Sequence, residues 1–94
     1  MNTYAISYTY SSETASKRDE VRPSHVEFLK ERFDADRLLI SGPVDGGAGA
    51  LLIISAADEA DALAMMDLDP FAKAGLIGRR DISRWDIFFG KDKL

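Results

Sequence analysis

Leu38-Leu39-Ile40-Ser41-Gly42-Pro43-Val44-Asp45-Gly46-Gly47-Ala48-Gly49-Ala50-Leu51-Leu52-Ile53-Ile54 decides the fold. Its two apolar runs, Leu38 to Ser41 and Leu51 to Ile54, are each of strand length and bounded by turn residues. Gly42-Pro43 closes the first run, and Asp45-Gly46-Gly47 is a turn signal. The stretch therefore predicts a hairpin with a loose loop.

On the N-terminal side, Tyr4, Ile6, Tyr8 and Tyr10 alternate with Ala5, Ser7 and Thr9, the period of a strand. Ser11 to Glu20 is too polar for a core and predicts a loop. Pro23 suits the first turn of a helix, where its missing N–H costs nothing. Val26, Leu29 and Phe33 then recur at helical spacing to about Ala35. On the C-terminal side, Asp58 is a candidate N-cap, with Glu59 and Asp61 adding negative charge where a helix N-terminus favours it. Ala60, Leu63 and Ala64 carry that helix to about Asp67. Pro70 pushes Asp69 out of helical geometry and onto a turn. Gly75 and Gly78 break the next stretch, and Arg80 to Phe89 alternates as a last strand.

The order strand, helix, strand, strand, helix, strand is α+β and ferredoxin-like (βαββαβ), with an antiparallel sheet and helices on one face. All of residues 1–94 form a single domain. Both faces of the first and last strands carry apolar side chains, so the second face needs a cover. A second subunit stacking sheet to sheet would supply it, which predicts a homodimer or a higher oligomer.

Composition narrows the function. The net charge is -4, and the closest basic cluster is Arg79-Arg80, better suited to a solvated strand end than to a phosphate grip. No nucleic-acid partner is expected. The chain has no cysteine, which excludes disulfides and thiolate metal sites. No apolar run reaches the ~18 residues of a membrane span, and the first residues lack the blocks of a signal peptide. A cytoplasmic location with no membrane partner is the default expectation.

His25 is the only histidine. If it meets Asp69 in space, the pair is a general base with its orienting carboxylate. Taken singly, each has a plainer role. His25 could bond a backbone group at a helix start, and Asp69 could bond its own backbone two residues on. Pro70 could shape that turn and aim the carboxylate together. Ser41 could offer a hydroxyl to a pocket or simply end its strand. One imidazole without cysteine does not build an ordinary zinc site, though it could hold a metal weakly with carboxylates or serve as an axial haem ligand. Proton abstraction itself needs no cofactor, and none, metal included, is expected.

Taken in order, Arg22-Pro23 with His25, Ser41-Gly42-Pro43, Gly49 with Leu51-Leu52, Asp69-Pro70-Phe71, Gly75-Leu76 and Trp85 resemble the YciI-like (YCII-related) family, small members of the dimeric α+β barrel group. The resemblance implies a dimer with packed sheets and a pocket holding a His–Asp dyad, here His25 and Asp69. One activity known in that family is dehydrochlorination of a chlorinated hydroxyhydroquinone. There the dyad removes a proton while an arginine and a serine hold the developing oxyanion. The arginine corresponds to Arg18. The serine position is Ala50 here, and an acidic residue of that enzyme falls at or beside Thr9. The implied protein is a cofactor-independent lyase or isomerase acting on a small cyclic or aromatic metabolite. The alternative is a binding or accessory module with the same pocket, in which Arg18, Ser41 and Pro70 serve the ligand without turnover.

Overall fold

The computed structural model describes all 94 residues. Strand β1 (Asn2–Thr9) leads through a short 3-10 turn (Ser12–Thr14) into helix α1 (Ala15–Asp34). Strands β2 (Leu38–Val44) and β3 (Gly49–Ala56) come next, then helix α2 (Glu59–Met66), a single helical turn α3 (Pro70–Lys73) and strand β4 (Arg79–Arg84). The sheet order is β2-β3-β1-β4, with every neighbouring pair antiparallel. The fold is α+β and ferredoxin-like, with the helices on one face.

The core follows from strand alternation. Tyr4, Ile6 and Tyr8 of β1 are buried, as are their cross-strand partners Ile54 and Leu52 of β3. Phe28 of α1 and Ala62, Met65 and Met66 of α2 pack on this layer. On the opposite face Ile40, Val44 and Leu51 are exposed. Its apolar character lies in β2 and β3 rather than in the first and last strands, because β1 presents Ala5, Ser7 and Thr9 there.

Several expectations change. Ser11 to Glu20 is not a loop, because α1 begins at Ala15. Ser11 organises the entry, its side chain accepting from the Glu13 N–H and its carbonyl from the Thr14 hydroxyl. Ion pairs Lys17–Glu20 and Arg22–Asp19 line the exposed side. The segment lacks an apolar stripe because its inward residue is Arg18. Pro23 consequently lies inside the helix, at the ninth of its 20 residues, and not in the first turn. The face of α1 also turns: Val26 and Phe33 are 54% and 56% exposed, while Arg18, His25 and Phe28 face inward.

The first hairpin strand does not stop at Gly42-Pro43. It runs on to Val44, with Pro43 opposite Ala50. Strand β2 is at the sheet edge, where a proline need not donate to a further neighbour. Finally, β4 ends at Arg84, five residues short of Phe89. One further bond, from the Trp85 N–H to the Thr3 carbonyl, prolongs the pairing. Phe88 and Phe89 then lie 87% and 89% exposed, against each other. No helix is long and apolar enough to cross a membrane.

Candidate functional site

Asp69 is placed by a short local construction. After α2 ends, the Asp69 N–H still bonds the Met66 carbonyl. Pro70 occupies the first position of α3 and fits there for the reason prolines start helices. Asp69 becomes the N-cap, its Oδ1 accepting from the Phe71 N–H at 3.0 Å. The side chain is completely buried. A buried carboxylate without donors would be costly, and this one has three. Besides Phe71, His25 Nδ1 lies 2.7 Å from Oδ1, and the Tyr8 hydroxyl donates to Oδ2 at 3.0 Å.

The two elementary readings of Asp69 are therefore both realised at once. It caps its own turn and it meets His25, 44 residues away in sequence. With Nδ1 directed at a carboxylate, the proton of a neutral imidazole sits on Nδ1, and Nε2 carries the free lone pair. The imidazole lies flat on the Phe71 ring. Phe71 in turn meets the Tyr10 ring edge-on at 5.8 Å.

His25 and Phe71 open onto a cavity of about 280 Å³ between α1 and the β2–β3 hairpin. Val26 and Leu29 of α1 and Leu52 of β3 give it an apolar wall. Gly42, Gly47 and Gly49 bring bare backbone to its rim. The polar side chains on its lining are Tyr10, Arg22, His25 and Ser41. Burial raises the Tyr10 phenol above its ordinary value, the Asp69 charge adds to this, and Arg18 and Arg22 oppose it. Burial raises the Tyr8 phenol further, with Asp69 again adding to the effect.

The structure distributes the other sequence candidates unevenly. Ser41 lines the cavity. Pro70 does not; it sets the turn between the two residues that matter, Asp69 and Phe71. Arg18 is buried but outside the lining, its guanidinium donating to the Ser11 carbonyl at 2.7 Å and to the Thr14 hydroxyl. It also stands over the Tyr10 ring at 4.5 Å, and its Nε has no partner. The cation on the cavity wall is Arg22 instead. Tyr8 and Phe71 were hidden among the aromatic residues of the sequence. The only advance signal for Phe71 was its place directly after Asp69-Pro70, and Tyr8 had none beyond its inward strand position. No three side chains of metal-ligating type converge anywhere in the fold.

The family model of the YCII-related domain matches residues 2–86. The chain belongs to the YCII-related family. No curated protein matches this YCII-related chain. Among solved structures it is similar to 5-chloro-2-hydroxyhydroquinone dehydrochlorinase (TftG) from Burkholderia phenoliruptrix AC1100, in complex with 2,5-dihydroxybenzoquinone. The identity is 21%, the match covers 92% of this chain and 95% of that one, and the TM-score is 0.80. An antibiotic biosynthesis monooxygenase is similar at 12% identity, with 94% and 99% coverage and a TM-score of 0.61. A NIPSNAP domain protein from Burkholderia xenovorans is similar at 11% identity, with 95% and 96% coverage and a TM-score of 0.56. At these identities the YCII-related chain shares a fold with all three.

Proposed function

We propose that this protein is a cofactor-independent enzyme in which His25 removes a proton from a small cyclic or aromatic metabolite. The single observation that carries the reading is the buried 2.7 Å contact between His25 Nδ1 and Asp69 beside a cavity. Asp69 holds the proton on Nδ1 and stabilises the imidazolium that forms. Nε2 takes a proton from a ring hydroxyl or an acidic ring carbon. The electron pair left behind moves through the ring. In an isomerisation or tautomerisation that pair takes the proton back from the imidazolium at another ring carbon. In an elimination that carbon is the one bearing chlorine, and loss of a second hydroxyl proton then expels chloride, for a net loss of HCl. The Arg22 guanidinium and the Ser41 and Tyr10 hydroxyls are the lining groups suited to the oxygen that gains charge. The likeness to the dehydrochlorinase makes a chlorinated hydroxyhydroquinone the first substrate to try.

In this reading the protein acts as a cytoplasmic homodimer. The dimer is supported by Ile40, Val44 and Leu51 on the open sheet face and by the uncovered Phe88 and Phe89. The test is chloride release from 5-chloro-2-hydroxyhydroquinone. Turnover that drops by about 10²-fold or more in His25→Ala supports the proposal. Turnover untouched by that change defeats it.

A second reading is a binding module without turnover. It is favoured by Ala50 in the cavity wall and by Arg18 outside it, since both positions correspond to oxyanion-holding residues of a family enzyme. Tight binding of 2,5-dihydroxybenzoquinone without release of chloride would select it.

A further inference from the structure

We propose that Tyr8 is a positioning residue that keeps His25 in its basic tautomer by acting through Asp69; the inference rests on the proposed role of the His25–Asp69 dyad. The fully buried carboxylate has unequal oxygens. Oδ1 receives two donors, the Phe71 N–H and His25 Nδ1–H, whereas Oδ2 receives one, the Tyr8 hydroxyl. Without that hydroxyl, Oδ2 is a buried acceptor with no partner, and burial then favours a neutral carboxyl over the charged one. A proton held on Oδ1, the oxygen that faces the ring, would turn donor toward His25 Nδ1. The imidazole would shift its proton to Nε2, the nitrogen that has to be bare to act as a base. Tyr8 thus protects a tautomer two hydrogen bonds away from itself.

The placement suits this task. Tyr8 is 1% exposed and sits on a central strand, opposite Ala50 of β3 and Arg80 of β4. A side chain held from both flanks has little freedom to leave its partner. The cavity lining does not include Tyr8, so its effect on substrate is indirect. Tyr4 is the matched control: same strand, same face, also buried, and not bonded to the pair.

The test uses the full chain labelled with nitrogen-15, whose single histidine gives one imidazole signal set. At neutral pH the parent protein is expected to carry the proton on Nδ1. Tyr8→Phe is expected to lower the Nδ1–H to Nε2–H ratio by about tenfold or more, the loss of one hydrogen bond to a charged group. Tyr4→Phe is expected to leave it in place. An unmoved ratio in Tyr8→Phe overturns the proposal alone, as does an equal movement in Tyr4→Phe. A parent protein protonated on Nε2 overturns the dyad reading and this proposal with it. Should Tyr8→Phe not fold, the parent spectrum decides: a slowly exchanging phenolic proton of Tyr8 supports the role, and rapid exchange with water refutes it.

Discussion

The rings of His25 and Phe71 are stacked, with centroids 3.8 Å apart and planes 1° apart. Phe71 also gives its backbone N–H to Asp69, so one residue fixes both members of the pair. Phe71→Leu should keep the N–H bond and lose the stack. Stability is expected to fall by about 1–2 kcal/mol. The His25 ring protons, no longer above an aromatic face, should move downfield. Unchanged ring-proton shifts would contradict the stacked arrangement.

Asp69→Asn tests the carboxylate with little change in size. Three donors face this group, and an amide brings a donor of its own among them. A buried donor left unpaired costs about 1–3 kcal/mol. Urea unfolding should show a loss of that order, while Ser41→Ala at the same cavity stays within about 0.5 kcal/mol.

Gly49 sits where the hairpin meets β1. A Cβ there would lie 2.3 Å from the Tyr8 carbonyl oxygen, which is backbone and cannot swing aside as a side chain can. Gly49→Ala should destabilise the protein by about 1–3 kcal/mol. Gly42→Ala has nothing within 4 Å and should be close to neutral. Thermal melts of the two variants, compared with the parent, check this. Equal melting temperatures would show that β1 and β3 are not held so closely.

Alkaline pH offers a test of Tyr8 burial. Its phenol is raised well above the ordinary value of 10.0, first by desolvation and then by Asp69. The folded state holds this proton where the unfolded chain has released it, so stability falls as pH rises. The contribution is intact below about 10 and is lost above it, at about 1.4 kcal/mol per pH unit. Urea midpoints above that pH should decline less steeply in Tyr8→Phe, with Tyr10 still supplying part of the slope.

Pro23 interrupts α1 from within. It lacks the N–H that would bond the Asp19 carbonyl, and it is exposed. Pro23→Ala should stabilise the protein by about 1–3 kcal/mol. A lower melting temperature would show that the ring is needed where it stands.

The legible parts of this fold were those with a local cause. Strand alternation in β1, the Asp58 cap of α2 and the turn at Asp45-Gly46-Gly47 each depend on neighbours in the chain. The start of α1 was not legible, because its inward face opens with Arg18 instead of an apolar residue. The end of β4 was not legible either. Alternation continues to Phe89, but β1 begins at Asn2 and offers no further ladder. At the site, His25 and Asp69 could be named from residue type and setting, whereas Tyr8 looked like any core tyrosine.

What the sequence determined by itself was the order of elements, the capping geometry of Asp69-Pro70-Phe71 and the presence of one imidazole. These rest on backbone preferences and periodicity acting over a few residues. Only the tertiary structure decided that β1, α1 and the α2–α3 turn deliver Tyr8, His25 and Phe71 to the same carboxylate. The physical reason is burial. Asp69 has no access to water, so its charge must be met by donors that only folding brings from distant parts of the chain.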